Sequence, residues 1–306
     1  MKRILGLIFI NIFVIVIISV IEPNFFSPDN LVVILDNMAL EVIALSGYTL
    51  LLVSGHFDLS IDGIVALCGV IAGIAMDNGV YWPIASIMCL LLAGSIGAFN
   101  GLLVTKLGIN AFIATMGTWF CCIGVTFGLT KAISPYGFPE AFQWLGQSRV
   151  IGVRTFVIYA LIIAVVLSVI LHMTRFGAHI YASGDNPQAS EMMGINTRKL
   201  GMEIYILLGL LSGFIGLMMT SRLNAASPMA VDGMALRVIA ASVIGGANLT
   251  GGEGSIIGGL LGLVLMSILS NATIQLGMSP YWQKAVLGGI LLLAVLVEQF
   301  RRIRQS

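Results

Sequence analysis

Two short stretches repeat a pattern able to hold or move a polar ligand. GHFDLSIDG, from Gly55, and GGANLTGGEG, from Gly245, share G-x-x-[D/N]-L-[S/T] followed by an acid and a glycine. Each carries a carboxylate or amide with a hydroxyl two residues on, Asp58 with Ser60 and Asn248 with Thr250, and each stands just before an apolar run. Irregular backbone at membrane depth is tolerated where it lines a cavity or is buried in protein; ordinary helix starts near the surface would account for the two turns equally well. Thr250 and Glu253 have the spacing of a capping box, in which the hydroxyl takes a backbone N–H and the carboxylate reaches back to the cap's own N–H. Ser60 is placed to cap the earlier helix in the same way.

No reacting group accompanies these turns. His56, His172 and His179 are scattered near helix ends without metal spacing, and the chain has no G-x-S-x-G and no H-E-x-x-H. It also lacks G-x-x-x-x-G-K-[S/T], so it does not hold ATP on a phosphate loop; any ATP that drives it is bound by another polypeptide. Cys68, Cys89, Cys121 and Cys122 all fall inside apolar runs, where a free thiol packs as a small hydrophobe, and neither a disulfide framework nor a metal cluster is expected. An intramembrane enzyme is a poor reading of such a chain.

A third polar stretch, GDNPQASEMMGI at residues 184–195, is of another kind. Asn186 is a good N-cap, Pro187 suits the first helical position, where its missing N–H would be unpaired anyway, and Gly194 suits the left-handed residue after the end. That predicts a helix over residues 187–193, about 10 Å long. A helix so short is unstable alone in water and must be held against something. Met192 and Met193 offer adaptable apolar contact, Gln188 and Glu191 polar contact. Two roles fit: a capped turn resting on its own membrane helices, or a docking helix for a cytoplasmic protein.

The elements that must position these stretches are apolar. The 306-residue chain is 58% hydrophobic and 9% charged, against about 25% charged in an ordinary soluble domain, so water is not its main solvent. Seven runs approach the roughly 20 residues needed to cross a bilayer: 4–21, 31–53, 84–104, 111–130, 155–171, 204–219 and 255–276. Three shorter runs, 64–76, 234–247 and 285–297, reach that length only by taking in Asp62, Arg237 and Lys284. The expectation is an all-α integral membrane protein of about ten transmembrane helices, some broken or re-entrant, in a single domain over residues 1–306. A closed barrel would instead show alternating strands of about ten residues. The first run is too long for a signal-peptide core and lacks a small-x-small cleavage site, so it is expected to stay as an anchor.

Lys2, Arg3, Lys106, Arg175, Arg198, Lys199, Arg301, Arg302 and Arg304, nine of the 15 Lys and Arg, fall on one side of a ten-span chain. Basic short loops favour the cytoplasm, so that side and both termini are expected there, with a cytoplasmic insertion at residues 173–203 around the predicted short helix. A second insertion, residues 134–154, is external; Pro135, Pro139, Phe142 and Trp144 suit a segment at the membrane interface or a plain connecting loop. Asp36, Glu41, Asp58 and Arg237 are costly in lipid and are expected to face the bundle interior, a partner subunit or water. Glycines four apart, at Gly69 and Gly73, Gly97 and Gly101, Gly124 and Gly128, Gly209 and Gly213, and Gly254, Gly258 and Gly262, predict close helix crossings.

Over nearly its whole length the chain resembles the permease subunits of bacterial ATP-driven importers of the ribose type, in the family shared with branched-chain amino-acid permeases. The resemblance is carried by GHFDLSIDGIVAL from Gly55, NGLLVTKLGI from Asn100, FIATMGT from Phe112, GDNPQASEMMGI from Gly184 and VIGGANLTGGEGSIIG from Val243. Asn110 and Ala111 stand where that family usually has prolines, Ile123 where it often has an arginine, and His56 where a glycine is common.

The resemblance implies that Gly184, Asn186, Pro187, Ala189, Gly194 and Ile195, with Gln188 and Glu191 on the same helix, form the coupling region that rests in a groove of an ATPase. Asp58, Ser60, Asn100, Asn248, Thr250 and Glu253 become candidate lining or gating residues of a translocation path. It further implies a cytoplasmic ABC ATPase that holds ATP and Mg, an extracytoplasmic solute-binding protein, and a second permease subunit, identical or not. This chain itself would bind no cofactor and no nucleic acid and would sit, multi-pass, among the lipids of the bacterial inner membrane. The expected function is import of a monosaccharide or similar polar solute by alternating access. The alternatives are a branched-chain amino acid as solute, or an ion-coupled secondary transporter, for which Asp36 and Glu41 are the available ionisable groups.

Overall fold

Where the chain runs apolar for some twenty residues, only a helix satisfies every backbone N–H and C=O from within one segment. The computed structural model describes residues 2–279 except 132, 151 and 230, together with residues 282, 285, 288 and 289. In chain order the elements are α1 (Lys2–Ile21), α2 (Pro28–Val53), α3 (Ile61–Asp77) and α4 (Trp82–Gly101), which runs on into a π-helical turn, Leu102–Lys106. Then come α5 (Ala111–Thr130), α6 (Glu140–Gln147), a two-residue hairpin of β1 (Arg149–Val150) and β2 (Val153–Arg154), and α7 (Thr155–Met173). The last five are α8 (Arg175–Asp185), α9 (Pro187–Met192), α10 (Thr197–Leu223), α11 (Met234–Ile244) and α12 (Ile256–Gln275).

All seven long apolar runs form helices of spanning length: α1, α2, α4 with its π-turn, α5, α7, α10 and α12. The chain is therefore a helical membrane protein, but ten spans are not reached among the described residues. α3 has 17 residues and α11 has 11, and the tenth expected span, residues 285–297, lies almost wholly outside the described residues. α11 stops short of the expected residue 247 because the chain turns out of the helix at Gly245 and Gly246, the latter at φ +106°.

Polar residues at the edges of the runs set the true ends. α2 starts three residues before its apolar run, with Ser27 accepting from Asn30 N and Pro28 in the first turn. Asn110 caps α5 by accepting from Phe112 N at 3.0 Å and so starts the helix without a proline. α10 gains two turns at its beginning through Asn196, which accepts from Lys199 N at 2.9 Å.

α10 is the axis of the bundle, packed mainly on α4, α3 and α2. Backbones touch where glycines meet: Gly97 of α4 against Gly209 of α10, Gly69 of α3 against Gly216 of α10, and Gly258 of α12 against Gly245 after α11. Gly124 and Gly128 of α5 do not make the expected crossing: among the described residues no atom lies within 4 Å of a Cβ placed on either. The insertion that contains α6 is tied to the bundle: Ser221 of α10 accepts from Gly146 N of α6 at 2.8 Å and donates to Phe142 O at 2.6 Å.

Candidate functional site

Beyond Val53, residues 54–60 leave α2 without a helix and are held by side chains from four neighbours. Tyr48 of α2 accepts from Asp58 N at 3.3 Å, Thr115 of α5 from Leu59 N at 3.0 Å, and Tyr205 of α10 donates to Phe57 O at 2.8 Å. Asp58 is 1% exposed. Its Oδ1 accepts from both Ser60 N and Ser60 Oγ at 2.6 Å, and Asn100 Nδ2 lies 3.4 Å from its Oδ2. Asn100 Nδ2 also donates to Ser60 Oγ at 2.8 Å, and Thr118 Oγ1 donates to Asn100 Oδ1 at 2.7 Å. Burying a carboxylate is tolerable when several donors replace its water, and here they fix the turn. Ser60 occupies the cap position of α3 but its hydroxyl makes no cap bond, because it is spent on Asp58.

Residues 248–254 repeat the same turn. Asn248 Oδ1 accepts from Thr250 N at 3.0 Å and from Thr250 Oγ1 at 2.8 Å, the arrangement Asp58 makes with Ser60. The capping box expected of Thr250 and Glu253 does not form. Thr250 is engaged by Asn248, the Glu253 carboxylate is exposed, and α12 is capped by Ser255, which accepts from Gly258 N at 3.0 Å. The chain needs a complete further turn before the helix can begin, with Gly251, Gly252 and Gly254 all at positive φ.

The third stretch sits against both turns. Thr174 caps α8, and the chain breaks at Asn186, whose Oδ1 accepts from Ala189 N at 3.0 Å to start α9 behind Pro187. α9 ends at Met192, Gly194 is left-handed at φ +85°, and Ile195 N returns to Ser190 O at 3.0 Å. Glu191 Oε1 accepts from Thr197 Oγ1 at 2.6 Å, tying α9 to the start of α10. Gln188 is exposed, and Met192 and Met193 are 89% and 70% exposed.

At the end of α8 the three stretches meet backbone to backbone. A Cβ on Gly184 would overlap the Val53 carbonyl oxygen and stand 2.6 Å from Gly252 N; one on Gly251 would stand 2.7 Å from Gly184 O and 2.8 Å from Gly55 Cα. Gly252 N donates to Val53 O at 2.9 Å, joining the second turn to the end of α2, and Tyr181 of α8 donates to Gly254 O at 2.6 Å. Burial pushes the Tyr181 hydroxyl above its usual pKa, which keeps it a donor. Beside this junction lies a cavity of about 430 Å3 lined by His56, Thr105, Gly184, Asp185, Glu191 and Thr250 among others.

The family profile described as branched-chain amino acid transport system / permease component matches residues 30–295. The chain belongs to this permease family. It is 38% identical over 289 residues to the ribose import permease protein of Escherichia coli (strain K12), covering 93% of this chain and 90% of that one. It is 35% identical over 294 residues to the ribose import permease protein of Bacillus subtilis (strain 168), covering 95% and 91%, and 32% identical over 300 residues to the L-arabinose ABC transporter permease protein of Azospirillum brasilense, covering 97% and 88%. No solved structure matches the chain. A permease is a transport subunit rather than an enzyme.

In this permease two arginines and two carboxylates of the far end form two pairs. Arg154 Nε lies 2.8 Å from Asp36 Oδ2 and Arg237 Nε 2.7 Å from Glu41 Oε1, while Asp62 accepts from Gly233 N at 2.9 Å and Ala235 N at 2.8 Å to start α11. Among the described residues no group of His, Cys, Asp and Glu could hold a metal ion.

The structure thus brings Asp58, Ser60 and Asn100 into one network, gives Asn248 and Thr250 a matching turn, and sets Gly184 between the two turns. It leaves Glu253 and Gln188 at the surface. Sequence reasoning missed α8, whose Thr174 cap was there to see, and missed Thr115 and Thr118, which lie in the FIATMGT segment without an evident partner. It also missed Tyr181 and Tyr205, whose partners are backbone carbonyls that no sequence pattern marks.

Proposed function

We propose that this chain is the membrane-spanning subunit of an ATP-driven importer that passes a monosaccharide into the cytoplasm of a bacterial cell by alternating access. The junction of Gly55, Gly184 and Gly251 carries the proposal. α9 presents exposed Met192 and Met193 to a cytoplasmic partner, and α8 runs from it into the contact between two broken-helix turns. With no side chain between the three backbones, a push on α9 cannot be absorbed by a rotamer change and must move the turns, which a bistable helix packing can convert into a switch of states.

In this assembly an ABC ATPase pair carrying ATP and Mg docks on α9, a second permease subunit completes the path, and a solute-binding protein delivers the sugar on the opposite face. Both chain termini lie in the cytoplasm, and the membrane is the inner one. A sugar is favoured over a branched-chain amino acid because the relatives named above are ribose and L-arabinose permeases, and a third, 31% identical, is the D-allose transport system permease protein of Escherichia coli (strain K12). Ion coupling is disfavoured because Asp36 and Glu41, the carboxylates it would use, are each held by an arginine.

The test is uptake of D-ribose, D-allose and L-arabinose in a strain lacking this chain and in the same strain with it restored. The proposal expects restored uptake of one of these sugars that follows cellular ATP and survives collapse of the ion gradients. Uptake that vanishes with the gradient while ATP is maintained contradicts it.

A further inference from the structure

Four helices turn polar side chains into a cavity of about 260 Å3 at the end of the bundle remote from α8 and α9. α2 contributes Asn37 and Glu41, α10 contributes Arg222, α11 contributes Arg237, and α12 contributes Ser267 and Ser270. These residues lie on runs otherwise read as membrane spans, where each polar group is costly unless it has a partner or a function.

The partners account for only part of them. Arg237 Nε is paired with Glu41 Oε1 at 2.7 Å, and Arg222 donates to Asp36 O at 3.0 Å and Asn37 Oδ1 at 2.9 Å. Among the described residues Glu41 Oε2 makes no hydrogen bond, and neither does the hydroxyl of Ser267 or Ser270. Ser46, Ser86, Ser95 and Ser212 each bond to the carbonyl one turn back, whereas among the described residues the hydroxyls of Ser19 and Ser242 have no partner but are closed off inside the protein. Ser267 and Ser270, three apart and so on one face of α12, are half-buried, lack such a partner and face the cavity.

From this geometry we infer a transit site for one neutral monosaccharide between α2, α10, α11 and α12. A sugar hydroxyl both donates and accepts, so it needs acceptors and donors within one short reach. Glu41 Oε2 supplies the acceptor, Arg237 Nη2 the donor, its Nε and Nη1 being held by Glu41 Oε1 and Asp232 O, and the two serines supply both. The volume falls just below the roughly 300–1,000 Å3 of pockets that enclose drug-sized ligands, which suits one five- or six-carbon sugar and is too small to enclose a disaccharide. The site deepens the importer reading and rests on it, because it sits on the face where the solute would arrive.

The test places a thiol in the wall. Ser270→Cys, and separately Ser267→Cys, is made in a Cys121→Ser background, which removes the exposed native thiol and leaves the buried Cys68, Cys89 and Cys122. In sealed right-side-out vesicles carrying the whole assembly, labelling by a small charged thiol reagent is timed with and without D-ribose, D-allose, L-arabinose or sucrose at millimolar concentration. The expected result is slowing by at least one monosaccharide, about threefold at a concentration of twice its Kd, and none by sucrose. Vesicles that import one of these sugars with no slowing by it overturn the site and leave the importer standing. Equal slowing by sucrose also overturns the site. Slowing by a monosaccharide whose import follows the ion gradient supports the site and sinks the ATP-driven reading. Neither slowing nor import of any of the three sinks both.

Discussion

Replacing Gly184 with alanine puts a methyl group where three backbones already touch. Its Cβ would overlap Val53 O and lie 2.6 Å from Gly252 N, and both neighbours are main chain, so no rotamer change relieves the clash. Overpacking of this kind costs about 1–3 kcal/mol. Separating Val53 from Gly252 also removes their 2.9 Å hydrogen bond, worth about 1 kcal/mol net. A total of about 2–4 kcal/mol changes the ratio of seated to unseated α8 by roughly 30- to 700-fold. Gly6→Ala is the control: Gly6 lies within α1 at helical φ, with nothing within 4 Å of an added methyl and far from the junction. ATP-dependent sugar uptake should fall by at least roughly tenfold in Gly184→Ala and stay within a few-fold of native in Gly6→Ala, with both variants inserted in the membrane at native levels. Native uptake by Gly184→Ala, or equal loss in both variants, would refute the reasoning.

Three other substitutions probe separate parts of the account. Asn186→Ala removes the bond to Ala189 N that starts α9; the lost cap, about 1 kcal/mol, should weaken capture of the partner ATPase about fivefold, and Asn186→Ser should restore it. Asn100→Ala removes the donor to Asp58 Oδ2 and to Ser60 Oγ and one of the two acceptors of Thr118, the other being Ala114 O, inside a buried network. At about 1–3 kcal/mol for a buried group left unpaired, it should lower the thermal unfolding temperature of the detergent-solubilised chain clearly, whereas Asn78→Ala, at an exposed helix end, should not. Asp62→Ala leaves Gly233 N and Ala235 N without acceptors; hydrogen exchange at the start of α11 should quicken, and unchanged protection there would show that Asp62 does not hold that helix.

The seven long helices were legible because lipid demands some twenty apolar residues and little else satisfies the backbone there. Their ends were less so, since Ser27, Asn196 and the charged first turns of α10 are helical for reasons of capping and packing that hydropathy does not see. α3 and α11 show the limit of counting apolar residues: Gly245 and Gly246 read as part of a span by composition and act as a turn by conformation. α9 was predicted nearly residue for residue because Asn186, Pro187 and Gly194 each have one local job. The capping box at Thr250 and Glu253 failed for the opposite reason. A better acceptor, Asn248, lies two residues before Thr250, and three glycines at positive φ delay the helix. The meeting of Gly55, Gly184 and Gly251 could not be read at all, because contact among residues about 130 and 67 apart in sequence depends on how α2, α8 and α12 pack.

The most direct test of the central claim is capture of the tagged chain from its native membranes in mild detergent, with Met192→Glu and Met193→Glu variants alongside. The account predicts that an ABC ATPase copurifies with the native chain and is lost when the exposed face of α9 carries a charge, while the variants remain folded by thermal unfolding. A native chain that purifies without any ATPase, or variants that retain it fully, would contradict the claim that α9 is where the engine docks.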